Sequence, residues 1–426
     1  MSTSTIAIII AVITVILFAS EKLPLSVVAI LSMLAMAFTN CITFTEAFSG
    51  FSNTATLMII GTGIIGEAFF TTGLSEKMGN AFLSMKKENE KNFIILAVLL
   101  SFVLSTFLNA LIVMALFMPI IDVIAAQSKG EFTRKNTYLP IGIAAVFGGN
   151  LSVVGSTSML NASAMLEESY YGKAMNFFEP AKLGLPGVIV CLLIFLIFGT
   201  KLQKKFFDFD DLTPNEPVAA MASGTKSINV PAWKRWLVLS VMFLCIVGFV
   251  VGLNYGAVAL LGGCAVIAAG CINMKQAIRG ISWEAVLVVA GTLGFAKGVE
   301  YSGAGQKITD AMLSAFGPLG KSPVAMCIAM LLITTILSNF MSNNATVGIC
   351  VPISLSLAQT FGANPIPFVL CCAIGANLSV ATPICTATIT MTTAAGYRFK
   401  DYARFGGLFN LLAFIATAIV VYFIYF

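Results

Sequence analysis

Long apolar stretches dominate the chain, and the informative positions are those where polar residues interrupt them. Runs of roughly 18 or more apolar residues read as membrane-crossing helices. Such segments stand at about 4–20, 24–40, 51–72, 183–200, 236–253, 255–272, 283–302 and 405–425. Four further runs are broken in the middle: 92–126 near Ser105–Asn109, 137–167 at GGNLSVVGS, 322–358 near Ser342–Asn344, and 365–395 at GANLSVATP. A continuous membrane helix has no use for such breaks, because backbone groups freed in hydrocarbon go unsatisfied. Unwound backbone is tolerated where it lines a cavity and faces a ligand.

The breaks come in pairs. GGNLSVVGSTSML from Gly148 and GANLSVATPICTAT from Gly375 share the block GxNLSV, 227 positions apart. GFSNTATLMIIGTGIIGEAFFTTG from Gly50 aligns with GISWEAVLVVAGTLGFAKGVEYSG from Gly280, which places Gly61 on Gly291 and Glu67 on Lys297. LSTFLNALIVMALFMP (Leu104–Pro119) aligns with LSNFMSNNATVGICVP (Leu337–Pro352). Three matches in one order at offsets of 227 to 233 indicate an internal duplication. With the runs at 92–126 and 322–358 taken as re-entrant hairpins and the N-terminus outside, nineteen of the 24 Lys and Arg fall on the cytoplasmic side. Four fall outside, and Lys297 lies within a span. That bias has the expected sign. Each half then has five spans, an odd number, so the halves insert in opposite orientations.

The expected fold is therefore an all-α integral membrane protein, an inverted repeat of five spans plus one re-entrant hairpin per half. That makes about ten transmembrane helices and two hairpins, with both termini outside a cell (cytoplasmic) membrane. The segment MSTSTIAIIIAVITVILFAS lacks a basic n-region and is read as a retained first helix. Residues 201–235 read as a cytoplasmic linker. The polar stretches 74–91 and 304–321 read as amphipathic interfacial helices, with Ile308, Ala311, Met312, Ala315 and Phe316 on one face of the second.

Composition narrows the chemistry. The chain is 58% hydrophobic and 10% charged, with a mean hydropathy of +0.95, which no soluble domain approaches. It has no histidine, which excludes Ser–His–Asp catalysis, HExxH zinc chemistry and a histidine proton relay. Its ten cysteines show no CxxC spacing and read as small buried hydrophobes. The net charge of +5 follows from topology and calls for no nucleic acid.

Ser342–Thr346, SNNAT, lies where a re-entrant chain must reverse. It supplies hydroxyls, amides and free helix-end groups that suit an anion or a dehydrated Na+, or that simply cap the hairpin helices. The tips and breaks carry no Asp, Glu, Lys, Arg or His. Neutral oxygens can bind Na+ but cannot relay a proton near neutral pH, so sodium coupling is favoured. Glu67 and Lys297 are the deepest charges in the spans. They read either as functional or paired charges or as residues that snorkel to the interface. A literal SNTAT, at Ser52–Thr56, begins a span and is read as outside the site.

SNNATVGICVPI, GANLSVATPICTATI and GYRFKDYARFGGLFNLL resemble the second half of the divalent anion/sodium symporters, within the larger ion transporter superfamily. That family has an SNT signature at each hairpin tip and a Thr-Pro-rich break in the following span. The resemblance covers nearly the whole chain. It implies an elevator-type, dimeric carrier of di- or tricarboxylates, or of sulfate, with Na+ as coupling ion and no cofactor.

Its scaffold would comprise 1–91 and 236–321, and its transport parts 92–200 (hairpin 1, broken helix 137–167, span 183–200) and 322–426 (hairpin 2, broken helix 365–395, last span). Substrate contacts are implied for Asn109, Ser156, Thr157, Ser342, Asn343, Asn344, Thr382 and Pro383. Sodium ligands are implied for Ser105, Asn109, Gly155, Ser338, Asn343 and Ala381. The first tip departs from the pattern, because Asn109-Ala110-Leu111 stands where SNT is expected and Leu111 cannot coordinate through its side chain.

The expected function is Na+-coupled symport of a small organic anion, with membrane lipid as surroundings and a homodimer as assembly. The alternatives are sulfate, another oxyanion, arsenite or a weakly charged solute, moved with little or no sodium coupling.

Overall fold

The computed structural model describes residues 2–20, 22–74, 90–127, 132–198, 200–209, 230–383 and 385–425. The first interfacial stretch lies almost wholly outside these residues, as does most of the linker. In the first half the helices are α1 (Thr3–Ser20), α2 (Leu25–Phe38), α3 (Phe44–Phe48), α4 (Thr54–Thr71), α5 (Glu90–Phe107), α6 (Ala110–Gln127), α7 (Arg134–Gly148), α8 (Thr157–Glu168) and α9 (Ala181–Ile197). A short α10 (Thr200–Phe206) follows. The second half has α11 (Ala232–Val250), α12 (Tyr255–Ala268), α13 (Met274–Gly280), α14 (Trp283–Tyr301), α15 (Ala304–Phe316), α16 (Pro323–Ser338), α17 (Asn343–Phe361), α18 (Pro365–Asn377), α19 (Ala387–Thr392) and α20 (Gly407–Tyr425).

The duplication read from sequence is a helix-for-helix correspondence. The pairs α5–α6 and α16–α17 are hairpins, α7–α8 and α18–α19 are helices broken at mid-length, and α9 and α20 pack on each other. The halves also exchange partners, because α4 packs on α12 and α14 packs on α2. Equivalent residues make both crossings. A Cβ on Gly61 would lie 2.3 Å from the carbonyl carbon of Ala259, and one on Gly291 would lie 2.7 Å from that of Ala29. Glycine is needed at both positions because backbone meets backbone there.

Two packed groups result. One contains α1–α4 with α11–α15, and the other contains the hairpins, the broken helices and the last spans. They meet where α14 lies against α17 and α8, α15 against α17, and α4 against α8. Large apolar side chains such as Phe38, Val251, Leu261 and Phe423 face outward, as expected of a protein whose surroundings are lipid.

Among the described residues, six helices satisfy the length and hydropathy of a membrane span, or seven if the bent α13–α14 pair counts as one. Two of the six, α5 and α17, are hairpin arms. At 1.5 Å per residue these arms reach about 27 Å, close to the hydrocarbon thickness. Composition alone therefore does not separate a hairpin arm from a span, and the arms must tilt or project beyond the bilayer for their tips to sit at mid-depth.

Two local features sharpen the sequence reading. The start of the linker is the helix α10, anchored where Gln203 Nε2 donates to the Asn136 carbonyl (2.9 Å). In α15, Ile308 and Met312 are half-buried while Ala311, Ala315 and Phe316 remain exposed, so that apolar face is only partly covered by protein.

Candidate anion site at the hairpin tips and helix breaks

Both tips and both breaks open onto one cavity of about 710 Å³. Its walls include Asn109, Ala110 and Leu111 of the first tip and Ser342, Asn343 and Asn344 of the second. Ser156, Thr157 and Ser158 come from the first break, and Asn377, Cys385, Thr386 and Thr388 from the second. Lys22 and Glu284 stand exposed at the mouth.

Local chemistry explains why these residues point inward. Four of them, Asn109, Ser156, Ser342 and Thr386, sit where a helix begins and satisfy orphan backbone N–H groups. Asn109 Oδ1 accepts from Leu111 N (3.0 Å) at the start of α6. Ser342 Oγ accepts from Ala345 N (3.3 Å) at the start of α17. Ser156 Oγ accepts from Met159 N (3.2 Å) at the start of α8, and Thr386 Oγ1 from Ile389 N (3.2 Å) at the start of α19. Four helix N-termini therefore converge on the cavity. A helix N-terminus carries about half a positive charge. The three longer helices thus direct about +1.5 toward the cavity, and the short α19 adds less.

Asn377 ties the elements together. Its Nδ2 donates to Asn150 Oδ1 (2.7 Å) and to Ser156 Oγ (2.9 Å). Its Oδ1 accepts from Ser158 Oγ (2.6 Å) and Asn343 Nδ2 (3.0 Å). Asn150 and Asn377 are the asparagines of the two GxNLSV blocks, so the repeats meet through their shared residue. All four hydrogen-bonding sites of the Asn377 amide are used, and it is 1% exposed.

Of the residues expected to contact substrate, Asn109, Ser156, Thr157, Ser342, Asn343 and Asn344 line the cavity. Thr382 and Pro383 do not. Thr382 is buried and its hydroxyl donates to the Asn339 carbonyl (2.7 Å), which pins the unwound segment to the foot of α16. Thr386 and Thr388 take the place expected for Thr382. Both breaks open with GxNLSV, but the second has three additional residues before its helix resumes, so Ser156 corresponds to the N-cap Thr386. The signal was the Ser/Thr-x-Ser/Thr pattern shared by Ser156–Ser158 and Thr386–Thr388.

Of the residues expected to hold sodium, Asn109 and Asn343 stand in the cavity wall itself, with Asn109 Oδ1 engaged in capping α6, whereas Ser105, Gly155, Ser338 and Ala381 do not line the cavity. In the second half, Asn343 Oδ1 accepts from Ser338 Oγ (2.7 Å) and Ser379 Oγ (2.8 Å), and Ser338 also donates to the Ala376 carbonyl. Ala381 N donates to Asn339 Oδ1 (3.2 Å). In the first half, Ser105 donates to the Ala145 carbonyl. Gly155 is packed so closely that a Cβ there would fall 2.6 Å from the Gly149 oxygen and 2.7 Å from the Ser105 oxygen. Carbonyl and hydroxyl oxygens cluster at both places, but side-chain oxygens from the tip itself contribute only in the second half. The alignment places Ala110 where the second tip has Asn343, and Ser152 donates instead to the Thr106 carbonyl.

SNTAT at Ser52–Thr56 makes structural bonds: Asn53 caps α4 through Ala55 N (2.8 Å), and Thr56 donates to the Gly50 carbonyl (2.7 Å). Lys297 is paired with Glu168 at 2.6 Å.

This arrangement agrees with what the chain is similar to. A family model described as CitMHS, citrate transporter, matches residues 15–347 and 246–426. An uncharacterized transporter of Haemophilus influenzae is 23% identical over 424 residues, 96% of this chain and 89% of that protein. An uncharacterized transporter of Synechocystis sp. is 32% identical over 165 residues, covering 38% of this chain and 27% of its own length. Sodium/sulfate cotransporter 1 of Chlamydomonas reinhardtii is 28% identical over 166 residues, 38% of this chain and 19% of that protein. The chain thus spans about a quarter or less of the last two. Among solved structures, the YdaH transporter of Alcanivorax borkumensis superposes with a TM-score of 0.60 at 11% identity, covering 89% of this chain and 86% of that one. MtrF of Neisseria gonorrhoeae does so at 0.52 and 12%, covering 100% and 95%. These two likenesses concern the fold alone. With the family model matching nearly the whole chain, this chain belongs to the citrate transporter family, and its apolar helices are those of a multi-pass membrane protein.

Proposed function

We propose that the protein is a secondary carrier that moves a di- or tricarboxylate such as citrate together with Na+. The observation that carries this reading is the convergence of four capped helix N-termini on a cavity whose polar side chains inside the mouth, among the described residues, are amides and hydroxyls with the Cys385 thiol, set among apolar residues such as Leu111, Val146 and Val288. Helix-end charge of about +1.5 or more suits an anion of charge two or three better than a monovalent or neutral solute. A cavity of about 710 Å³ is far larger than a tetrahedral oxyanion needs, whereas it accommodates a six-carbon acid with its waters.

Sodium would bind behind the tips. In the second half it would take Ser338 Oγ, Asn343 Oδ1 and backbone carbonyls beside the break, with Ala381 among the candidates. In the first half it would take Ser105 Oγ and the carbonyls around Gly155, a weaker set because Ala110 and Leu111 bring no side-chain oxygen. In this reading the group containing the hairpins moves as the transport part against a scaffold of α1–α4 and α11–α15, by an elevator-type exchange of access within a homodimer. Relatives named sodium/sulfate cotransporters keep sulfate as the second reading.

The test is isothermal titration of purified protein with citrate, succinate and sulfate, in NaCl and in KCl. The expected result is citrate binding in Na+ that weakens at least tenfold in K+. Sulfate binding that exceeds citrate binding would replace the first reading by the second.

A further inference from the structure

The ion pair of Lys297 with Glu168 joins the two packed groups at one end of the molecule. Lys297 Nζ lies 2.6 Å from Glu168 Oε2 and donates to Ser49 Oγ (2.9 Å). Asn53 Nδ2 donates to the other carboxylate oxygen, Glu168 Oε1 (2.8 Å). Lys297, Ser49 and Asn53 belong to the group built on α14 and α4, whereas Glu168 is the last residue of α8 in the group that carries the hairpins. Glu300 lies beside the pair and so adds negative charge there.

The cavity opens at the opposite end. Glu284, at its mouth, stands thirteen residues before Lys297 on α14, about 20 Å along the helix. The molecule is therefore open at one end of α14 and clasped at the other.

The repeat supplies a second pair. At the offset of 230 that relates Gly50 to Gly280, Lys297 corresponds to Glu67 and Glu168 corresponds to Arg398. The same offset relates the N-cap Ser156 to the N-cap Thr386, so Glu168 and Arg398 stand equally many residues past those caps, although α8 runs on to Glu168 whereas α19 ends at Thr392 and Arg398 caps the next helical turn. Both charges are inverted, which preserves the attraction. Glu67 lies at the open end: a Cβ on Gly280 would be 2.4 Å from Glu67 Cβ. Arg398 is exposed, next to Tyr397, whose hydroxyl meets the carbonyls that begin α7. Among the described residues neither Glu67 nor Arg398 is in an ion pair. Arg279, which occupies the position equivalent to Ser49, lies on α13, which packs against α4 within the same packed group, so a contact from it to Glu67 could not hold the two groups together.

We propose that these are alternating clasps: Lys297–Glu168 holds the state seen here, and Glu67–Arg398 closes in the state of opposite access. The inference rests on the alternating-access reading above but not on the identity of substrate or coupling ion. An inverted repeat exchanges the environments of equivalent residues when access alternates. The end that is now open acquires the contacts now made at the closed end.

The test is a disulfide trap in membranes. Glu67→Cys/Arg398→Cys is oxidised with copper phenanthroline, and the cross-linked peptide containing positions 67 and 398 is quantified by mass spectrometry, which separates it from products of the native cysteines. Bonding requires Cα atoms within about 7 Å. The expected result is a cross-link whose yield rises at least threefold when Lys297→Gln is added to release the present clasp. No cross-link in either background, or equal yields in both, would overturn the proposal. Should the cysteine variant fail to purify, charge exchange gives the second measurement. Uptake lost in Glu67→Arg should return at least tenfold in Glu67→Arg/Arg398→Glu, and no recovery would overturn the proposal. A cross-link that behaves as expected in a protein that takes up no citrate would refute the substrate assignment and leave the clasps standing.

Discussion

Replacing Asn377 by alanine removes the amide on which the two halves meet. Four hydrogen bonds are lost at once, to Asn150, Ser156, Ser158 and Asn343. A buried hydrogen bond contributes a net of about 0.5–1.5 kcal/mol, so the loss is about 2–6 kcal/mol, with more added where a partner is left unsatisfied. Asn150→Ala is the control within the repeat. Its side-chain oxygen accepts from Asn377, and deleting it orphans one donor, at about 1–3 kcal/mol. Thermal unfolding followed by tryptophan fluorescence in detergent should place Asn377→Ala about 2–12 °C below wild type, taking about 1–2 °C per kcal/mol for a chain of this size from the trend with length. Asn150→Ala should fall by about half as much or less. Because Asn377 also positions the helix starts at Ser156 and Asn343, citrate affinity should fall at least tenfold in Asn377→Ala. A melting temperature within a degree of wild type, with unchanged affinity, would show that the amide neither joins the halves nor shapes the site.

Thr386→Ala should weaken citrate binding about tenfold in titration calorimetry, whereas Thr382→Ala should cost about 1 kcal/mol of stability and leave affinity within about threefold, since its hydroxyl serves the Asn339 carbonyl; the reverse order would return the contact to Thr382. Leu111→Asn, at an exposed cavity position, should tighten anion binding by about fivefold, as one added hydrogen bond of about 1 kcal/mol predicts; weaker binding would mean the first tip touches substrate through apolar contact. Gly291→Leu should abolish a monodisperse peak in size-exclusion chromatography, because its backbone meets Ala29 with no room for a side chain; normal elution and melting would contradict the reciprocal crossing of the halves.

The architecture was legible because hydrophobic runs and their breaks are long-wavelength features. The duplication followed from GxNLSV and from Gly61 and Gly291, which alignment paired and which the structure places at equivalent crossings. The tips were legible for a local reason, since Ser, Asn and Thr before an apolar run cap a helix wherever one begins. What was not legible depended on register and distance. Thr382 matches a family position in sequence, but three additional residues in the second break carry it behind the wall and bring Thr386 and Thr388 forward. The bonds from Asn377 to Asn150 and to Ser156 and Ser158 join residues more than two hundred positions apart, and no periodicity announces them. Lys297 was seen as equivalent to Glu67, but its partner Glu168 lies at the end of a half-helix in the other packed group, a contact only packing reveals.

The central claim, sodium-coupled movement of a carboxylate through the cavity at the tips, is tested most directly by uptake of radiolabelled citrate into proteoliposomes under an imposed inward Na+ gradient. Uptake should exceed that with K+ in place of Na+ by at least fivefold, and should fall to the level of protein-free vesicles when Asn343 is replaced by Ala. Equal uptake in Na+ and K+ would contradict the coupling, and full uptake by Asn343→Ala would contradict the site.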